Sequence, residues 1–322
     1  MPVDREEYLE ILRKMLEIRL FEERVNRLYQ DGLMPGNQHS YRGEEAVAVG
    51  VCSALETDDL IASYHRGNGH MIAKGLDIYR LFAEFLGKED GYSRGRGGKM
   101  HIVAQEKGFL GTNGIVGATV PIACGAAFAA QVRKSGQVVI SFMGDGAVNT
   151  GAVHEAMNMA SLWKLPVVFV IENNQYAHSV SVSRSSADTC LAHRAAAYNL
   201  EGLTVDGNDV MAVKNVASWA IGKARGGGGP TVLECLTYRW DGHFGGDPGT
   251  TYRTREEVQA WRDRCPIKRY VAYLKEKGKL DEESYNRIYK EISEQIEEAA
   301  AKALTAAEPH PSVGVNLIYA EV

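Results

Sequence analysis

An α/β fold, with a doubly wound and mainly parallel sheet carrying helices on both faces, follows from three features of the sequence. Beyond residue 120, helix-period segments alternate with short Val/Ile-rich runs, the pattern of strands buried on both faces. Two of these runs, at 138–142 and 167–171, lead into polar residues, Gly144-Asp145-Gly146 and Asn173-Asn174. The chain has 322 residues and is 45% hydrophobic, enough to bury such a sheet.

The elements can be justified in order. Asp4 and Glu7 form a capping pair, and Leu9, Leu12, Leu16, Phe21, Val25 and Leu28 recur at helical spacing until Asp31-Gly32. A second helix is expected at 44–55, a short strand at 60–62 and a helix at 78–86. The next thirty or so residues are glycine-rich and lack periodicity, and a loop of that length is usually functional or mobile. Then follow a small-residue helix at 120–134, the strand at 138–142, a helix after Gly146 and the strand at 167–171. Helices at 187–197 and 210–225 alternate with strands at 203–205 and 231–236. From Glu256 the chain reads as charged, solvated helices flanking the sheet. Without repeats or a low-complexity linker, residues 1–322 read as one domain. An N-terminal helical arm runs to about residue 35 and a C-terminal helical tail starts at about residue 254.

In a doubly wound sheet, ligands bind beyond the carboxyl ends of the strands, where strand order switches. Glycines at Gly144 and Gly146 permit a tight turn and let backbone N–H groups approach a phosphate. An aspartate among phosphates is repelled unless a cation lies between them. A hard cation such as Mg2+ takes oxygen ligands, and Asp145 and the Asn174 amide offer two from neighbouring strand ends. Either motif alone is a turn or a strand cap; the pairing at matched strand ends points to a site. Other phosphate motifs fail. Asn149 stands where G-x-G-x-x-G needs glycine, and Ser93 and Met100 break a Walker A pattern.

Bulk properties exclude other classes. A formal net charge of −5 argues against a general nucleic-acid surface. Five scattered cysteines without C-x-x-C spacing read as reduced thiols, and no run suggests a signal peptide or membrane span, so a cytoplasmic protein is expected.

GDG followed about thirty residues later by NN is the thiamine-diphosphate motif. With "NGIVGATVP", "TYRWDGH" and "DPGTTYRTREE", it resembles the alpha subunit of the E1 component of 2-oxo acid dehydrogenases, of the pyruvate, branched-chain or acetoin type. The resemblance covers nearly the whole chain and implies a thiamine-diphosphate-binding fold. It implies Mg2+ held by Asp145, Asn174 and the Tyr176 carbonyl, with Gly146 and Ala147 on the diphosphate beside Gly144. It places Gly114 and Val116 on the aminopyrimidine and Arg66 on the diphosphate. His243 becomes the acid–base residue, with His65 near the cofactor and His39 on the substrate side. The implied reaction decarboxylates a 2-oxo acid or cleaves acetoin, then passes the acyl group to lipoamide on an E2 partner. A beta subunit in an alpha2beta2 heterotetramer would supply the activating glutamate. His70 and His101 are read as structural, and Met157, Met159, Leu162 and Trp163 as a core face. Glu155 is either a buried polar anchor or a helix-dipole partner.

Three residues depart from the pattern. Asn68 replaces a loop histidine, which motivates a second reading, a stand-alone carboligase or decarboxylase without a lipoyl partner. Phe244 replaces a regulatory serine, excluding phosphorylation there. His178 stands where a small or apolar residue is expected, and bears on the substrate pocket. "HRGNGHMIAKGL" and "EEAVAVGV" lean towards the acetoin-type branch.

Overall fold

The structure, a computed structural model, describes residues 5–312, so the Asp4 capping pair lies outside the described residues. Helix α1 (Arg5–Gln30) buries Leu12, Leu16, Phe21 and Val25, the apolar stripe read from its spacing. It packs on the body of the chain. Helix α2 (Glu45–Cys52), strand β1 (Leu60–Ala62), and helices α3 (Asn68–Ala73) and α4 (Ile78–Phe85) follow. Asp77 caps α4 by accepting from the Arg80 amide. The glycine-rich segment then carries one short strand, β2 (Phe109–Gly111). That loop is organised from below: the buried Glu84 carboxylate accepts the amides of Ser93, Gly95, Gly97 and Gly98 at 2.7–3.0 Å.

Helix α5 (Thr119–Arg133) leads to β3 (Val139–Gly144), a 3-10 turn (Asp145–Asn149) and α6 (Gly151–Leu162). Strand β4 (Val167–Asn173) ends beside a small hairpin of β5 (Tyr176–Ala177) and β6 (Val180–Ser181), followed by the short α7 (Val182–Ser185). The helix expected at 187–197 is a 3-10 segment, Leu191–Tyr198. Then come β7 (Glu201–Asp206), α8 (Val210–Arg225), β8 (Thr231–Leu236), α9 (Arg255–Asp263), α10 (Pro266–Glu276) and α11 (Glu282–Leu304).

Six strands form one parallel sheet in the order β2-β1-β3-β4-β8-β7, the predicted α/β architecture. Alternate residues of β3 divide between two cores: Ile140 and Phe142 face α1, α2, α4, α8 and α11, whereas Val139 and Met143 face α5 and α6. Each fully buried side chain of this size contributes about 1.5–3 kcal/mol of transfer free energy.

Two expectations fail for the same reason, that composition along a helix does not report which of its faces finds a partner. Helix α11 is no solvated tail: Ile288, Ile292, Ile296, Ala300 and Ala303 are buried against α1 and α4. Of the four residues expected to form a core face on and just after α6, only Met157 is buried, while Met159, Leu162 and Trp163 are exposed, as is Glu155. Among the described residues no helix is long and apolar enough to cross a membrane, and the five cysteines are free.

Candidate active site

A crevice of about 340 Å³ opens beyond the carboxyl ends of β1, β3, β4 and β8, at the switch in strand order between β1 and β3. His65 and Arg66 enter it after β1, and Gly144, Asp145, Gly146 and Ala147 after β3. Asn174 and Tyr176 enter after β4, His243 after β8, and Val116 from the loop before α5. His39 joins through its ring, whose centroid is 4.9 Å from that of His65 and 5.3 Å from that of His243. Gly114 is not brought to the wall; its nearest side-chain neighbour is His101. Close approach explains Gly146, because a Cβ there would stand 2.6 Å from that of Ala177.

Two of the three predicted ligand oxygens are already held by one cation. Arg239, buried, donates to the Asn174 Oδ1 at 3.3 Å and to the Tyr176 carbonyl. Its other terminal nitrogen reaches the His178 carbonyl and the Tyr252 hydroxyl. Asp145 is 4% exposed, and its Oδ2 has no hydrogen-bond partner. Burial raises its pKa to about 6, against the opposing pull of Arg239. A buried carboxylate oxygen left alone beside an amide oxygen and a carbonyl oxygen is the donor set a hard divalent cation takes. The residues therefore fit Mg2+, with the Arg239 guanidinium standing in for it. Glu44 lies alongside, accepting from Asn174 Nδ2 at 3.2 Å, and burial drives its pKa well up.

The opposite wall is histidine. Arg66 ties it down, donating to the Ser40 carbonyl at 2.7 Å and the His243 carbonyl at 2.9 Å. The same guanidinium lies 3.3 Å from His243 Nδ1. Arginine only donates, so Nδ1 accepts and the neutral His243 ring carries its proton on Nε2. Burial, then the positive charge of Arg66, lowers the pKa values of His39 and His243 to about 2 and that of His65 to about 3. The three rings can bring one ligand atom each within 4.8 Å of one another. Arg66 nevertheless bears on all three, joined by Lys99 or Arg239. A dication and a guanidinium roughly 6 Å apart repel by about 5 kcal/mol at an effective dielectric of about 20. This wall suits an anionic or neutral guest.

Several residues at the site escaped the sequence reading. Glu172 interrupts the apolar run of β4 and is fully buried, accepting from Tyr41, from Tyr64 at 2.5 Å and from His70 at 3.0 Å. A charge inside a buried strand was the available signal. His70 is thus structural, as expected. Lys99 donates to Gln38 and the His39 carbonyl, fixing the segment that carries His39, and burial lowers its pKa to about 7. Asn68 is buried, begins α3 and donates to Glu22 at 2.5 Å; it does not line the crevice.

With this geometry in view, comparisons place the chain among known proteins. Residues 13–312 match the family model described as dehydrogenase E1 component. The alpha subunit of acetoin:2,6-dichlorophenolindophenol oxidoreductase from Bacillus subtilis is 46% identical over 95% of this chain and 90% of its own length. Its counterpart from Cupriavidus necator is 44% identical over 99% and 96% respectively. The alpha subunit of the pyruvate dehydrogenase E1 component from Rhizobium meliloti is 43% identical over 96% and 88%. Sequence motifs, sheet topology and crevice thus converge, and the chain belongs to the dehydrogenase E1 component family.

Proposed function

We propose that this chain is the alpha subunit of a heteromeric, thiamine-diphosphate- and Mg2+-dependent E1 enzyme. It decarboxylates a small 2-oxo acid such as pyruvate, or cleaves acetoin, and passes the acyl group to lipoamide. The observation that carries the reading is the orphaned Asp145 Oδ2 beside the Asn174 and Tyr176 oxygens that Arg239 holds together.

Once bound, the cofactor supplies the electron sink for breaking the bond next to the substrate carbonyl. The chain's own residues do the rest. Asp145, Asn174 and the Tyr176 carbonyl would hold Mg2+, with Arg239 giving up the Asn174 and Tyr176 oxygens. The amides of Gly146 and Ala147 and the Arg66 guanidinium take the diphosphate, while Gly144 keeps the turn open. Val116 contacts the aminopyrimidine from the crevice wall, whereas Gly114, which the fold leaves off that wall, is given no contact. His243 holds or moves a proton at Nε2, His65 stands near the cofactor, and His39 lines the substrate side. Diphosphate and substrate bound there would set negative charge against Arg66 and Arg239, which would raise the His243 pKa from its unliganded value.

A beta subunit completes the site in an alpha2beta2 heterotetramer, and a lipoyl-bearing E2 receives the product. The exposed apolar face of α5 and α6, with Ile122, Phe128, Val132, Leu162 and Trp163, supports a partner subunit. Cytoplasmic placement and a single catalytic domain over residues 1–322 belong to the same reading. The carboligase reading loses its motive, since Asn68 serves Glu22 and lies off the crevice wall.

The test is the purified alpha/beta pair. It should bind thiamine diphosphate only with Mg2+ and reductively acylate a lipoyl domain from pyruvate or acetoin. His243→Ala should keep cofactor and lose most turnover. Metal-independent binding, or carboligation without acyl transfer, would overturn the reading.

A further inference from the structure

His178 is the site residue that neither the sequence pattern nor the proposed chemistry absorbs. It lies between Ala177 and Val180, which pair antiparallel, so residues 178–179 form the two-residue turn of the hairpin. Its φ of 55° is left-handed, a conformation that costs an L residue about 1–2 kcal/mol and that glycine adopts freely. Backbone strain of this kind persists where the surroundings over-determine it. Here two contacts do so. Arg239 donates to the His178 carbonyl, which ties the turn to the Asn174–Tyr176 segment. The His178 ring stacks on His243, with centroids 4.5 Å apart and planes 13° from parallel.

The neighbours of His243 divide by geometry. His39 and His65 meet it at 85° and 63°, and Phe244 at 89°. These contacts limit where the ring sits but none lies flat on it. Among the described residues, the face-on aromatic contact to His243 is His178. The backbone at His243 is anchored, its N–H donating to Asp247 at 2.7 Å and its carbonyl accepting from Arg66 at 2.9 Å, but those bonds leave the ring its own side-chain torsions. Arg66 fixes Nδ1, which still permits rotation about that contact.

We propose that His178 is a positioning residue for His243, fixing by face-on stacking the ring plane in which Nε2 meets the guest. This rests on the assignment of His243 as the acid–base group. Proton transfer depends steeply on direction, so a ring free to swing spends less time aligned. Stacking of ordinary strength corresponds to a population factor of about two- to tenfold.

The experiment uses the alpha/beta pair loaded with thiamine diphosphate and Mg2+. His178→Asn removes the ring yet accepts the left-handed backbone, whereas His178→Phe restores a flat ring that cannot titrate. The asparagine variant should lose about three- to tenfold in kcat with KM nearly unchanged, and the phenylalanine variant should recover most of it. A second readout needs no turnover: ethoxyformylation of His243 by diethylpyrocarbonate, followed by peptide mass spectrometry. It should accelerate in His178→Asn and return towards the wild-type rate in His178→Phe. Equal modification rates in all three proteins, or equal kcat losses in both variants, would overturn the proposal. A wild-type pair inactive on every 2-oxo acid and on acetoin would instead overturn the functional reading, leaving the modification rates to judge the stacking.

Discussion

Two buried carboxylates stand at the carboxyl ends of adjacent strands, Glu172 on β4 and Asp145 just after β3, and they are furnished in opposite ways. Glu172 is saturated: Tyr41 and His70 bond one oxygen and Tyr64 the other. Asp145 keeps one oxygen without a partner, and burial raises its pKa to about 6. An unpaired buried acceptor costs about 1–3 kcal/mol. The fold tolerates that cost at one strand end and removes it at the next. What separates the two carboxylates here is the completeness of their hydrogen bonding, since burial is nearly the same.

The comparison breaks most readily at Glu172. Glu172→Ala strands two tyrosine hydroxyls and an imidazole in the core, so unfolding free energy should fall by about 3–5 kcal/mol in urea titrations. A change below about 1 kcal/mol would mean that the cluster is ornamental. Asp145→Ala should behave inversely. Its unfolding free energy should stay within about 1 kcal/mol of wild type, while Mg2+-dependent affinity for thiamine diphosphate falls by about a hundredfold in calorimetry of the alpha/beta pair. Unchanged affinity would remove Asp145 from the metal site.

The same contrast explains what was readable in the sequence. The placement of Gly144-Asp145-Gly146 and Asn174 at strand ends was legible because strand ends are visible as breaks in apolar runs. Helix α1 was legible from its spacing, and α5 from its run of small residues. The partners of Glu172 were not, because Tyr41, Tyr64 and His70 come from separate segments that only tertiary packing assembles. Arg239 sits inside a quoted motif, yet nothing local says that its guanidinium reaches back to Asn174 and Tyr176. The short α3, β2 and the β5–β6 hairpin span too few residues to establish a period. The exposure of Trp163 and the burial of Ile292 depend on which neighbour arrives, a long-range property.

A third buried cluster lies between these extremes. Glu22 accepts from Gln38 at 3.1 Å and from Asn68, while Lys99 donates to the same Gln38. Burial raises the Glu22 pKa and lowers that of Lys99, and each charge opposes the shift of the other. Lys99→Met should cost about 3 kcal/mol, because it leaves a buried carboxylate without its cation. Adding Glu22→Gln should return part of that loss, a coupling of about 1–3 kcal/mol in a double-mutant cycle. Strict additivity would show that the two charges do not sense each other. Because Lys99 also holds the His39 carbonyl, the single variant should lose activity even where it remains folded.

The smallest effect concerns His39 and acid. Burial, then Arg66 and Lys99, lowers its pKa from 6.5 to about 2 in the folded chain. Between those values the unfolded chain takes up a proton that the folded chain refuses. The stability this contributes is therefore present above pH 6.5 and lost progressively as pH falls towards 2. Asparagine at this position does not titrate. The stability gap between wild type and His39→Asn should thus shrink on acidification, by about 1–2 kcal/mol from pH 7.5 to pH 5, in paired urea midpoints. A gap that stays constant would mean that His39 gains its proton in the folded chain over the same pH range as in the unfolded one, and so is charged in mild acid. The crevice wall would then already carry positive charge before any diphosphate or carboxylate arrives, and His39 would have to be counted with Arg66 among the groups that attract the anion.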